Sequence, residues 1–496
     1  MMKAFILIAT FVAAIAVMAE DHVVRSPDGK LAVTVTAGSD GAIAYTFQAD
    51  GKTLIQSSSL GLDFGEPVKM PSAGWRVVKA ATRSVDEVWK PLWGKRVIVP
   101  DRYSETTIEM QGQGSPFDRF NVRVRAYDDG FAFRYEIPRE ARGKPSQAVK
   151  DLTTYNFAGD YTAWFYNGEN HNLGPDKLSA VSGNRRPVMT VKAGEDAYMA
   201  VHEADLRSGQ PLELAKTGPT SFGAIAAPGE ISQGYVSAWR VVLFGRTPGA
   251  MVDSHMIELL NPPQAEGMDF SWVKPGIAVW DWRINGAEVN GFKYTMTYPS
   301  WIRMVDFAAE NGIRYFVLDA DWYGKEFAKE SNPTAGGYAA DARKLITYAR
   351  EKNVGIWLYL NDVAGRNYPI EETLKTYHEW GAAGIKYGFM KGKPEEKNAR
   401  TRMITELCAK YKLMCLYHDG PVHPYGQMRT LPNAVTREFC HAQLDARRVF
   451  VPKTFVTTVF VNMLAGPLDM NNGMFDLRQG GTTRVDNKME VPSTLV

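Results

Sequence analysis

The chain has 496 residues, too long for one ordinary domain, and at 45% hydrophobic and 23% charged it has an ordinary globular composition. A formal net charge of +2, without blocks of like charge, excludes an electrostatic case for nucleic acid. Three cysteines, Cys408, Cys415 and Cys440, exclude a disulfide framework, and no CxxC or His-rich cluster suggests zinc.

Lys3 precedes the apolar run "AFILIATFVAAIAVMA", which closes on small residues before "EDH". This predicts a signal peptide over residues 1–19, with the mature chain starting near Glu20. The run is short for a membrane span, so export to the periplasm or the exterior is expected, with no span after signal removal. From 20 to 262 the sequence reads as strands: "LAVTVTA", "AIAYTFQA", "NVRVRAYDDGFAFRYEIP" and "VSAWRVVLFG" alternate apolar and polar residues. "YDDGFAFRY" predicts a hairpin turning at Asp129-Gly130. So many strands predict a large β-sandwich. "NPPQAEG", residues 261–267, reads as the linker.

From 268 to 496 the period changes. "GIAVWDW", "IRYFVLDADW", "VGIWLYLND", "AGIKYGFMKG" and "LMCLYHDG" are strands, separated by helical patterns such as "SWIRMVDFAAENG" and "KNARTRMITELCAKY". Alternation of this kind predicts parallel strands with crossover helices. A (β/α)8 (TIM) barrel is expected, with a doubly wound sheet as runner-up. The whole is a multidomain β plus α/β protein. Only 26 residues follow "LAGPLDM", so the barrel is expected to be incomplete at the C-terminus, the chain being a fragment or, as the runner-up, a short member that closes by association.

Barrel chemistry sits at the C-terminal strand ends. Here these ends carry Asp281, Asp319 and Asp321, Asp362, and Asp419, with Glu438 following in "TREFC". The fourth strand, "IKYGFM", instead has Gly388. Any one such Asp is an ordinary helix cap or turn former. Their repetition points to an acid-lined mouth suited to glycoside hydrolysis, to a divalent metal, or to both. Trp322 stands at a strand end where it can stack on a sugar or simply pack. His418 can hydrogen-bond a sugar hydroxyl or be a satisfied core histidine. Arg429 in "MRTLPN" can pair with a mouth carboxylate or anchor its loop.

"GAAGIKYGFMKG", "KLMCLYHDGPVHPYGQMRTLPNAVTRE" and "VFVNMLAGPLDMNNGMF" resemble glycoside hydrolase family 97, as do "SPDGKLAVTV" and "YDDGFAFRYEIP" nearer the N-terminus. The resemblance implies an N-terminal β-super-sandwich, a catalytic (β/α)8 barrel, and activity on α-glucosidic or α-galactosidic bonds. Retaining members carry an Asp nucleophile at the end of the fourth strand, where this chain has Gly388; the resemblance is thus to the inverting branch. Inverting members place base carboxylates after the third and fifth strands, which match Asp362 and Asp419. A calcium-binding Glu of the family matches Glu438, so calcium on Asp419 and Glu438 is the implied cofactor. The general acid would stand six residues beyond Glu438, at Leu444, which cannot donate a proton; Asp445 is the adjacent carboxyl.

Two functions are therefore expected. One is an exported inverting glycosidase acting on an oligosaccharide, with Asp419, Asp362 and Asp445 catalytic and His418, Asp319, Asp321, Trp322 and Arg429 binding substrate. The other is a carbohydrate-binding pseudoenzyme that lost its acid at Leu444.

Overall fold

The computed structural model describes residues 19–65, 68–112, 116–168, 170–420, 426–437, 452–467 and 469. Glu438, Leu444 and Asp445 lie outside the described residues, as do residues 1–18 of the predicted signal peptide.

Strict alternation builds the N-terminal half. In Ile43–Ala49 every second residue is buried. Tyr45 and Phe47 thereby meet Phe131 and Phe133 of the strand Gly130–Glu136, with the Phe47 and Phe131 ring centroids 4.7 Å apart. Each fully buried ring of this kind contributes roughly 1.5–3 kcal/mol. A seven-stranded and a nine-stranded sheet, both antiparallel, enclose this core as a sandwich. The predicted hairpin is present, but Tyr127 pairs with Gly130, so its turn is Asp128-Asp129. Gly130 pairs as part of the strand, and the position takes glycine because a Cβ there would lie 2.4 Å from the Val242 carbonyl oxygen of the neighbouring strand.

Between Leu259 and Ala278 the described chain forms neither helix nor strand. It then enters six parallel strands: β1 (Ala278–Trp280), β2 (Tyr315–Leu318), β3 (Gly355–Asn361), β4 (Gly384–Gly388), β5 (Met414–His418) and β6 (Ala434–Arg437). They lie side by side in chain order, β1 to β6, and form a curled partial barrel. A doubly wound sheet would reverse its strand order at a switch point, and this one does not.

Helices α1 (Tyr298–Glu310), α2 (Ala339–Glu351), α3 (Asp362–Asn367), α4 (Ile370–Trp380) and α5 (Pro394–Lys410) connect the strands. The α1 helix starts at Thr297 with Pro299 in its first turn, where the missing N–H costs nothing. Its buried residues, Trp301, Met304, Val305 and Ala308, follow helical spacing.

Alternate strand residues face opposite ways. Phe316, Leu318, Cys415 and Tyr417 pack with Ala342, Leu345, Ile404 and Cys408 of the helix layer. Tyr315, Val317, Trp357, Met414 and Leu416 line the inside, where Phe270 and Val273 of the connecting segment fill the space between them.

Candidate active site

The inward alternation, followed to the strand ends, defines the mouth. β3 and β4 pair Tyr359 with Lys386 and Asn361 with Gly388, and β5 adds His418 beside Gly388. Asp319 follows β2 at the level of Tyr359, because Leu318 pairs with Leu358. Trp280 ends β1 on the same face, since it pairs with Val317.

Lys386 is the electrostatic centre of this floor. Its Nζ lies 2.9 Å from Asp319 Oδ2 and 3.9 Å from the centroid of the Trp280 ring. Trp280 Nε1 donates to the same Asp319 oxygen at 2.6 Å. Burial would raise the Asp319 pKa, but Lys386 and the Ala320 amide outweigh it and hold the carboxyl below its ordinary value. Behind it Asp281 is fully buried, accepting from the Asp319 amide and from Trp301 Nε1, both at 3.0 Å. Burial, reinforced by the charge of Asp319, pushes Asp281 up to about 7.

A second group occupies the next level. The loop after β2 brings Glu326 to β3, where Tyr359 OH and Asn361 Nδ2 both donate to Glu326 Oε1. Asp321 Oδ1 accepts the Glu326 amide at 2.8 Å and pins the loop. Burial and the carboxylates of Asp319 and Asp321 raise the Glu326 pKa against the hydrogen bonds of Tyr359 and Asn361.

The proposed site residues divide accordingly. Asp319 and His418 stand in the mouth, close enough for His418 to act on the Asp319 charge. Asp419 lies on the rim with a half-exposed carboxylate 3.4 Å from His418 Nε2. Its left-handed backbone, φ 40°, sends its carbonyl to the Met390 amide.

Three expectations need correction. Asp362 does not face the mouth. It is the residue after Asn361 and points the other way, into the helix layer. There Arg366 Nε at 2.6 Å, Arg400 Nε at 2.8 Å, Tyr387 OH at 2.5 Å and the Lys391 amide at 2.9 Å engage both of its oxygens. A carboxylate so occupied cannot serve as the base. Trp322 is fully buried, donates to the Tyr359 carbonyl at 2.9 Å and packs on Tyr323, so no sugar reaches it. Arg429 leaves the mouth altogether and binds Asp101 of the sandwich at 2.9 Å. Asp321 is exposed, and with φ 67° it serves as the loop pin just described through Oδ1.

Calcium was assigned to Asp419 and Glu438. Among the described residues no group of three or more His, Cys, Asp or Glu side chains is placed to hold a metal ion. Asp419 alone does not make a calcium site, which takes six or more oxygens.

Lys386, Glu326, Tyr359 and Asn361 are functional candidates beyond those chosen from the sequence. A lysine inside the apolar strand "GIKYGF" was a signal that could have been read; Glu326, in the polar loop "YGKEFAKE", carried none.

Comparison with known proteins matches residues 24–263 to the N-terminal domain model of glycosyl hydrolase 97, and residues 280–440 to the glycoside hydrolase 97 model. The chain belongs to glycoside hydrolase family 97, and is by family a glycosidase. This family 97 chain is 26% identical to a retaining alpha-galactosidase of Bacteroides thetaiotaomicron, over 90% of its own length and 72% of the relative's. It is 27% identical to a probable retaining alpha-galactosidase of Streptomyces bingchenggensis, over 90% of its length and 69% of that protein's. In fold it matches a family 97 enzyme from Pseudoalteromonas sp. strain K8, solved with panose, at a TM-score of 0.81 and 23% identity, covering 92% of this chain and 75% of that one. A beta-arabinopyranosidase structure matches at a TM-score of 0.78 and 19% identity, covering 94% of this chain and 78% of the other.

Proposed function

We propose that this family 97 chain is an exported glycosidase that hydrolyses α-galactosidic or α-glucosidic bonds through attack of water, with inversion at the anomeric carbon. The names of its relatives support the α-galactoside class, and the panose complex of its structural neighbour supports an oligosaccharide with glucosidic linkages. The observation that carries the mechanism is the bare end of β4. Gly388 has no side chain, and a Cβ built there would lie 3.0 Å from Tyr359 Cε2 and 3.2 Å from its hydroxyl. A retaining reaction needs a nucleophile against the sugar carbon. This strand end supplies none, whereas the two relatives are named as retaining enzymes.

The half-buried ring of Trp280, braced from behind by the Lys386–Asp319 pair, gives the sugar a fixed, flat surface to bind against. His418 and the rim carboxylate of Asp419 flank the entrance, where they can meet hydroxyl groups. Calcium belongs to this proposal only through Asp419 and Glu438; a rise in melting temperature on adding calcium, lost in Asp419→Asn, is the check. Export is tested by N-terminal sequencing of protein from the envelope fraction, which should begin near Glu20.

The deciding experiment is proton NMR of the first-formed sugar. An α-linked galactoside or glucoside should release the β-anomer first. Initial release of the α-anomer would mean that another residue is the nucleophile, and no turnover would leave a sugar-binding role with Leu444 in place of the acid.

A further inference from the structure

We infer that Glu326 is the carboxylate that activates the attacking water, taking the role that the family resemblance implied for Asp362. The inference rests on the water-attack reading above.

Geometry is the first support. The third strand ends in two adjacent polar residues, and the pleat turns them to opposite faces. Asp362 goes outward to Arg366 and Arg400. Asn361 goes inward, and the carboxylate it receives there belongs to Glu326. The mouth therefore has a carboxylate at the end of β3, but one delivered by the loop after β2. The Asp321 hydrogen bond to the Glu326 amide closes that loop, and Phe327 packs edge-on against Phe389 at 5.2 Å. The carboxylate is thus placed on both sides of its own Cα.

The second support is Gly388. Tyr359 reaches Glu326 by passing over the end of β4, and its ring and hydroxyl occupy the space a side chain at 388 would need. Losing the side chain at 388 and gaining the Tyr359–Glu326 contact are one arrangement. The bare strand end makes room for Tyr359, which orients the Glu326 carboxylate beside it.

Unlike Asp362, Glu326 is held through Oε1 by two uncharged donors, and it keeps part of its surface open to solvent. The charges acting on it are the carboxylates of Asp319 and Asp321. A base needs this combination: oriented, acceptor-only, and not neutralised by a guanidinium. In the step itself, a water oxygen bonds to the anomeric carbon as its proton passes to Glu326. The bond from that carbon to the glycosidic oxygen breaks, its electron pair staying on the departing oxygen, which takes a proton from solvent where it needs one.

The test compares wild-type protein, Glu326→Gln and Glu326→Ala on an α-linked disaccharide and on the matching 4-nitrophenyl glycoside. Loss of a base should lower kcat about 100-fold or more on both substrates alike. Azide, which needs no deprotonation, should restore turnover of the nitrophenyl glycoside by Glu326→Ala and give the β-glycosyl azide. A drop confined to the disaccharide would make Glu326 the acid and overturn the inference. So would unchanged turnover in both variants, or loss that azide does not restore in protein with a wild-type circular dichroism spectrum. Wild-type protein that releases the α-anomer, or turns over neither substrate, would instead remove the water-attack reading on which the inference stands.

Discussion

Lys386 and Asp319 form an ion pair from β4 to β2, reaching across β3, with both side chains nearly excluded from solvent. Only a strongly curled sheet lets alternate strands meet in this way. The pair is therefore both a part of the mouth and a brace across it.

Removing one partner of a buried ion pair leaves the other charge stranded, which costs about 3–5 kcal/mol. Lys386→Met should lower stability by that amount in urea denaturation. Lys386→Met combined with Asp319→Leu should recover much of the loss while remaining inactive. If the double variant is no more stable than the single, the brace is not electrostatic.

Asp281 should make stability pH-dependent in a particular direction. Its folded pKa, about 7, lies above the ordinary carboxylate value, so between roughly pH 4 and 7 the folded state holds a proton that the unfolded state has lost. The contribution of Asp281 to stability accordingly falls as pH rises through that window. An asparagine side chain in its place cannot titrate, and it meets one of the two N–H donors with its own NH2 group. Asp281→Asn should therefore be more destabilising at pH 5 than at higher pH. The gap to wild type should narrow by on the order of 2–3 kcal/mol by pH 8.5, as read from denaturation midpoints at the two pH values.

Asp362→Asn should behave as a lesion of the fold. Its carboxylate is buried against two guanidinium groups, and loss of that charge should cost about 3–5 kcal/mol at neutral pH. Burial works to raise the Asp362 pKa, but Arg366, the Lys391 amide, Tyr387 and Arg400 hold it below the usual value. The wild-type advantage is thus present above the ordinary carboxylate pKa and lost as pH falls through the lowered one. Thermal melts of both proteins from pH 3 to 7 should converge at the acid end.

Gly388→Ala tests the close approach of Tyr359. A methyl group 3.0 Å from the ring forces a shift, at a cost of about 1–3 kcal/mol. In a Tyr359→Ala background the same substitution should cost far less. A double-mutant cycle that shows no coupling would mean that the two positions do not share that space.

Much of this architecture was legible in the sequence. Period-two runs such as Ile43–Ala49 placed the sandwich strands, and the helical spacing of Trp301, Met304 and Ala308 separated barrel from sandwich. The site was harder, because its residues are fixed by one-residue differences. Asn361 and Asp362 are neighbours in "YLND", and which of them faces inward depends on where β3 stops and α3 begins. Asn361 caps α3 by accepting the Val363 amide at 2.8 Å, and that cap fixes the answer. Arg429 was missed for another reason: its partner, Asp101, is 328 residues away. Glu326 depends on loop closure, which no periodic pattern encodes.

Phe270 and Val273 come from the segment joining the two halves, yet they lie inside the curled sheet with Tyr315, Val317, Trp357, Met414 and Leu416. The connector is therefore an internal wall of the barrel, and it cannot act as a hinge. A cut between Val273 and Gly276 would strip the inner lining from the barrel piece and leave the other with a greasy tail. Expression of either half alone should give aggregate, and the intact protein should melt in one transition. Recombination that moved this barrel to another partner would have to carry its doorstep with it.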